Sequence, residues 1–227
     1  METINNDMQV RLTLLKETGY NVENAQKCWA FVRGDESKNH EPCIGRLEDG
    51  VYLIDTKGNA VRYDGKDTET TGDTAYIGVV QGSHSVAISL YDASKKEITL
   101  TAKGNDKKHG GYKYKYTDAV QDWDGKGNTE RLKQIGLNPA IKLKDGEYIP
   151  SLAEMYLISL NLKVINAAMR FVGGEYISDC YWSSTEYSST ASWFLNLYNG
   201  SAGIGANDST SRRVRPVSPF VQRTKNA

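Results

Sequence analysis

Cysteine, histidine and net charge are all scarce in this chain, and each scarcity removes a class of function. Its 227 residues hold three cysteines (Cys28, Cys43 and Cys180) and three histidines. An odd cysteine count does not describe a disulfide framework; it reads as three free thiols, or as one bridge with a thiol left over. His40, His84 and His109 are scattered and no C-x-x-C occurs, so no zinc site is expected. Lys and Arg number 28 against 28 Asp and Glu. With no net charge there is no electrostatic case for a nucleic-acid partner. No apolar run reaches the length of a membrane span. The opening METINNDMQV lacks the basic start and apolar centre of a signal peptide, so either the protein is not exported by that route or a signal has been removed. G-x-S-x-G, Walker and H-E-x-x-H sequences are absent, and no His lies near the serine-rich region in sequence.

The charges that are present are unevenly spread. Thirteen Lys and Arg residues fall between Lys95 and Lys163, and none between Phe171 and Ser211. That basic-free stretch is crowded with Ser, Thr, Tyr, Asn and Gly, and ends abruptly in Arg212, Arg213 and Arg215. Its composition resembles an antibody paratope, where Tyr and Trp give broad contact area and Ser, Gly and Asn give adaptable hydrogen bonds. Glycine- and serine-rich hairpins on an ordinary sheet would have the same composition.

The chain divides into four parts. Residues 1–45 read as a helical appendage, with helical spacing at Val10, Leu14 and Leu15 and a second helix over Glu23–Val32, broken at Gly34 and the polar DESKNHEP. From Gly50 the character is β: VYLID alternates, Thr56–Asn59 is a turn, and Ala60–Tyr63 returns. Ala75–Val80, Val86–Leu90 and Ile98–Leu100 are further strand candidates. Residues 117–170 carry helical signals. Asn128 or Thr129 can cap a helix ending at Gly136. Ser151 and Glu154 have capping-box spacing ahead of a helical stretch, read either as one unit or as two broken near Asn161, that stops at Gly173-Gly174. Strands then return at Tyr181–Ser183, Trp193–Tyr198, Gly203–Ala206 and Arg213–Val217. The order of strands, helices and strands predicts an α+β domain over 46–227 whose terminal strands join one sheet system.

Two local motifs are weighed and set aside. Asp122-Trp123-Asp124-Gly125-Lys126-Gly127-Asn128 has the first two acids of a calcium loop, but Lys126 and Lys133 stand where further ligands are required. It reads as a polar turn entering a helix. Lys107 to Tyr116 interleaves bases with Tyr112, Tyr114 and Tyr116, a mixture that suits single-stranded nucleic acid. Without a wider basic surface it reads as an exposed strand, Tyr inward and Lys outward.

The sequences Tyr181-Trp182-Ser183-Ser184-Thr185-Glu186-Tyr187, then Trp193, then Arg213-Val214-Arg215-Pro216-Val217, carry a resemblance. They are similar to the variable proteins of diversity-generating retroelements, which have a C-type lectin-like fold. More broadly they resemble the bacterial and phage family that shares this fold with formylglycine-generating enzymes. Gly50–Asn59, Asp118–Asn128 and Ile149–Glu154 agree in look and order, so the resemblance covers about residues 48–220. It implies short strands, two or three helices, much irregular chain, and a C-terminal surface that binds ligand, diversified in retroelement targets by adenine-directed reverse transcription. Carried over, Trp182, Ser184, Glu186, Trp193, Val214, Arg215 and Pro216 would be scaffold. Display positions would fall within about 187–213, among Tyr187, Thr190, Ser192, Phe194, Tyr198, Ser201, Ala202, Ile204, Ala206, Asp208, Ser209, Thr210 and Arg212. One face of a strand can vary while the other stays as core.

The expected function is therefore that of a ligand- or receptor-binding protein of a phage tail tip or bacterial cell surface. Its partner would be a protein or glycan receptor on a target cell. No catalysis, cofactor, metal, nucleic acid or membrane insertion is expected, and a homotrimer is one assembly open to such a protein. Formylglycine-generating enzymes use a cysteine pair in the matching half, where this chain has Cys180 alone, which argues against that activity. An inert structural module is the third alternative. The Arg cluster is expected either to pair with Glu186 or Asp179, or to lie in solvent.

Overall fold

The alternating run at Gly50 becomes a strand, but a central one. In the computed structural model, which describes residues 47–65, 68, 73–102 and 110–220, β1 (Gly50–Asp55) pairs with β2 (Ala60–Arg62) on one side and β3 (Thr74–Gln81) on the other. Its Val51 and Leu53 enter the main core while Tyr52 and Ile54 join a second cluster with Val80, Ala87 and Phe220. Burial on both faces explains why the strand is almost wholly apolar. The tight turn after it forms because Asp55 Oδ1 accepts from the amides of Lys57 and Asn59, both at 2.8 Å, and Gly58 takes the left-handed conformation, φ 84°.

Adding β4 (His84–Ser89) and β8 (Val217–Ser218) completes a five-stranded antiparallel sheet of order β2-β1-β3-β4-β8. The last strand thus joins the sheet begun by the first. A separate three-stranded sheet holds β5 (Cys180–Ser188), β6 (Ala191–Asn196) and β7 (Ala202–Ala206). Between the two groups of strands the chain forms a one-turn α1 (Tyr116–Ala119), then α2 (Gly125–Ile135), α3 (Leu152–Leu160) and α4 (Leu162–Phe171). The architecture is mixed α+β, with two antiparallel sheets and four helices among the described residues.

Helix α3 touches strands of both sheets, so one core cluster runs from Val51, Ile77 and Ile88 through Leu152, Met155 and Ile158 to Tyr181, Trp193 and Leu195. A third cluster fills the space between α2 and the opposite face of the small sheet: Leu100, Leu132, Ile135, Ile149, Trp182 and Val214. The small sheet is therefore packed on both faces at β5, and all six residues from Tyr181 to Glu186 are buried.

Local signals set several boundaries as expected. Ser151 and Glu154 form a reciprocal capping box, α3 and α4 are separated at Asn161, and the amide of Gly174 closes α4 on Met169 O at 2.7 Å. Others differ. The N-cap of α2 is Asp124, not Asn128 or Thr129, because those two residues lie within the helix and their side chains are spent on Asp122 and the Ile149 amide. Ile98–Leu100 is not a strand; Ile98 makes one bridge to Arg212. Arg213–Val217 is reduced to a bridge at Arg213 and the two-residue β8, since Pro216 has no amide to give a ladder. Residues 110–115 are irregular, with Tyr114 61% exposed, the reverse of the inward tyrosines expected there. The helices expected within residues 1–45, and Cys28 and Cys43, lie outside the described residues; Cys180 is a free thiol.

Candidate functional site

Three of the segments that carried the sequence resemblance, Asp118–Asn128, Ile149–Glu154 and Tyr181–Tyr187, meet in one buried polar junction. Asp122 Oδ2 accepts from Thr185 Oγ1 and from Asn128 Nδ2, both at 2.7 Å, and Asp122 Oδ1 accepts from the amide of Asp124 at 3.2 Å. Thr185 Oγ1 in turn accepts from the amide of Leu152 at 2.9 Å, one of the orphan donors at the start of α3. Thr129 Oγ1 donates to Gly125 O and accepts from the Ile149 amide. Glu154 accepts from Tyr148 Oη and from the Ser151 amide, both at 2.7 Å. Burial holds the Glu154 carboxyl above the ordinary range, its hydrogen bonds pull the other way, and the nearby Asp122 charge pushes it up again. A Cβ on Gly125 would collide with Glu154 Oε2 and the Ser151 amide, so only glycine lets α2 and α3 approach this closely.

The acids of the apparent calcium loop are therefore structural. Asp122 is committed to the junction and Asp124 caps α2 by accepting from Gly127 N at 2.9 Å. Among the described residues no group of acids, histidines and cysteines could hold a metal ion. In the same region no helix is long and apolar enough to cross a membrane.

Of the C-terminal arginines Arg215 points inward, and Arg213 is half-buried beside it. Arg215, 1% exposed, sets Nε 2.8 Å from Asp92 Oδ1, lies 3.7 Å from Glu175 Oε2, and donates to Ser89 O at 3.1 Å. Arg213 donates to Asp92 Oδ2 at 3.2 Å. The partners are thus Asp92 and Glu175 rather than Glu186 or Asp179. They come from the loop after β4 and the loop after α4, so the pairing ties both loops beneath β5. Burial raises the Asp92 carboxyl, against the pull of Arg215 and Arg213.

The residues proposed as scaffold are all buried: Trp182, Ser184, Val214 and Arg215 almost completely, Glu186, Trp193 and Pro216 nearly so. Trp182 Nε1 donates to Ile98 O at 2.8 Å and Ser184 Oγ to Gly125 O at 3.3 Å. The residues proposed for display divide by strand parity. Ala202, Ile204 and Ala206 pair with Leu195, Trp193 and Ala191 and share their face, with Ile204 44% exposed. Phe194 and Ser192 lie on the other face. Ser192 is buried at 0% exposure and offers nothing to a ligand. It sits between Glu186 of β5 and Gly205 of β7, inside the part of the sheet that is covered on both sides. The Phe194 ring stands edge-on to Trp182 and carries the Arg212 guanidinium 4.5 Å from its centroid. Thr190, Tyr198, Ser201 and Ser209 are exposed in the turns, Asp208 and Thr210 partly so. Thr190 O meets the Asn207 amide at 2.9 Å, which joins two of those turns at one end of the sheet.

On the Trp193 face the structure adds residues that the sequence reading had not assigned. The segment Tyr112–Tyr116 is strapped across the small sheet: the Lys113 amide donates to Glu186 O, and Lys113 O accepts from Trp193 Nε1, both at 2.9 Å. Tyr112, Tyr114, Tyr187, Trp193, Tyr116 and Tyr156 then follow one another in ring contacts of 5.6–6.4 Å. Tyr116 and Tyr156 hydroxyls are 2.8 Å apart, and Tyr156 reaches Gly200 O, beside the exposed Tyr198. Burial and the Tyr116 hydroxyl push the Tyr156 phenol up, so it stays a neutral donor. Tyr114 (61%) and Tyr116 (49%) face solvent. The aromatic alternation YKYKY was the available signal, but it gave no hint that the segment crosses the C-terminal sheet.

No family model matches the chain, and no curated protein matches it. A fimbrial protein from Bacteroides ovatus ATCC 8483, known from a crystal structure at 1.85 Å resolution, shares the fold with TM-score 0.56 and 15% sequence identity. The match covers 76% of this chain and 48% of that one, so this chain spans about half the length of its structural neighbour. At that identity the likeness concerns the fold.

Proposed function

We propose that this chain is a ligand- or receptor-binding protein with a C-type lectin-like fold, of the kind diversified by retroelements and carried on a phage tail tip or bacterial surface. The observation that carries the binding reading is the aromatic surface on the Trp193 face. It joins exposed Tyr114 and Tyr116, through Tyr187, to a strand edge that exposes Ile204. Contiguous exposed apolar surface of this sort marks interaction sites, and tyrosine binds at small entropic cost. A protein surface or a glycan ring fits such a patch. The fimbrial neighbour is in keeping with a surface role.

The lectin-like reading is supported by the return of β8 to the sheet of β1 and by the separate small sheet built from the Y-W-S-S-T-E segment. Rigid support beneath a variable rim is what such a protein needs, and the buried junction around Thr185 supplies it. Cys180 gives no support to oxidase chemistry: burial and the adjacent Asp179 push its thiol up, which disfavours the reactive thiolate.

The test pairs Tyr114→Ser with Tyr198→Ser, two exposed side chains whose loss leaves the core intact. Labelled protein is applied to a panel of bacterial cells and to immobilised glycans. Wild-type binding that falls at least tenfold in the double variant, at unchanged melting temperature, is the expected result. Equal binding by both proteins, or none by the wild type, removes the reading. Diversification is tested in the flanking DNA, where a template repeat should differ from the codons of about 187–213 mainly at adenines.

A further inference from the structure

Strand β7 is the outer strand of the small sheet. It reads Ala202-Gly203-Ile204-Gly205-Ala206, without charge, proline or bulge. Edge strands are ordinarily blunted by those devices, because a bare row of amides and carbonyls is a template for another strand. The ladder fixes which groups face outward. At one end Asn196 N donates to Ser201 O, and at the other Asn207 N donates to Thr190 O, both at 2.9 Å. Antiparallel alternation then gives residues 201, 203, 205 and 207 to β6 and turns the main-chain groups of Ala202, Ile204 and Ala206 away from it. Ala206 is already satisfied, its N–H by Thr210 Oγ1 at 3.1 Å and its C=O by Thr210 N at 3.0 Å. Ala202 and Ile204 are left with two donors and two acceptors that have no partner among the described residues.

We propose that two copies of this chain pair antiparallel through β7, about a two-fold axis at Gly203. In that register Ala202 of each copy opposes Ile204 of the other. The four hydrogen bonds that form use every free group on both edges. An axis at Ile204 would instead set Ala202 against the occupied Ala206 and leave two bonds. At the axis Gly203 faces Gly203 in a non-hydrogen-bonded pair, where backbones come closest and neither copy has a Cβ to intrude. Ile204 of one copy lies beside Ala202 of the other, on the face shared with Trp193 and Leu195, and buries its exposed side chain there.

Charge favours a second copy over a charged partner. No Lys or Arg lies between Phe171 and Ser211, and no acid between Tyr187 and Asn207, so neither β6 nor β7 brings a charge to the seam, and the Arg212 guanidinium lies one strand back, over Phe194. Two five-residue strands bury well below the roughly 800 Å² per partner of a stable complex, so the dimer is expected to be weak and concentration-dependent. This pairing shares Ile204 with the exposed face described above but rests on the free main-chain groups of the edge, and it needs no ligand.

Sedimentation velocity of the full chain from about 10 μM to 1 mM is the measurement, with hydrogen exchange of individual amides at both ends of the range. A monomer–dimer equilibrium is expected, with the amides of Ala202 and Ile204 protected only at high concentration. Ala202→Pro deletes an outward N–H that β6 does not use, and Ile204→Lys places a cation in the seam. Each should weaken dimerisation at least tenfold without altering the far-UV circular dichroism. If the proline variant fails to fold, the lysine variant decides alone. Monomer throughout, a trimer, or a dimer that Ile204→Lys leaves intact overturns the proposal.

Discussion

Replacing Thr185 by valine removes one oxygen and keeps the shape of the side chain. Thr185 is fully buried, and its Oγ1 sits between the Asp122 carboxylate at 2.7 Å and the Leu152 amide at 2.9 Å. A hydrogen bond to a charged acceptor contributes about 1.5–3 kcal/mol, and a buried amide left without a partner costs about 1–3 kcal/mol. Two effects reduce the sum. Asp122 keeps Asn128 and the Asp124 amide, so its charge is not orphaned. The added methyl also brings up to about 0.8 kcal/mol of apolar burial. The expected loss for Thr185→Val is therefore about 2–3 kcal/mol. Thr185→Ser keeps the hydroxyl and deletes only a methyl, at about 1 kcal/mol. Urea unfolding followed by fluorescence of the buried Trp182 and Trp193 reads both, with the slope checked for constancy. If valine costs under about 0.5 kcal/mol, or less than serine, the junction is not held by that hydroxyl and the reasoning fails.

Two further predictions concern charge. Arg215→Met leaves buried Asp92 with the partly exposed Arg213 as its remaining cation and should cost about 2–4 kcal/mol, less than a wholly uncompensated buried charge, whereas adding Asp92→Asn should recover a part of it. A double-mutant coupling under about 0.5 kcal/mol would show that the pair is effectively solvated. Glu154 has a folded-state pKa raised above its unfolded value of 4.5, so the native state takes up this proton first. Its contribution to stability is present below pH 4.5 and is lost as pH rises through the folded value. Acidification from pH 7.5 to 4.5 should therefore stabilise the wild type relative to Glu154→Gln; identical urea-midpoint shifts in both proteins would refute it.

Local chemistry made much of the fold legible. Ser151 with Glu154, Asn161 and Gly173-Gly174 announce themselves within a few residues, because caps and breaks are satisfied by neighbours in the chain. So are the β1–β2 turn and the strand at Gly50. Long-range pairing was not legible in the same way. Nothing near Arg215 in sequence marks Asp92 or Glu175 as its partners, since those acids arrive on two distant loops. Alternation misled at the Tyr112–Tyr116 segment, and the display position carried over to Ser192 proved buried, because an alternate face is solvent only where nothing covers it.

The sequence by itself determined an α+β order of strands, helices and strands, and it marked Tyr181–Val217 as the segment with unusual composition. The tertiary structure alone decided how that segment is placed. It buried Tyr181–Glu186 on both faces, turned Arg215 into the core, and brought Tyr114, Tyr116 and Tyr156 from elsewhere to Trp193. The reason is that composition and period report what a residue prefers, whereas a surface is defined by what the rest of the chain leaves uncovered.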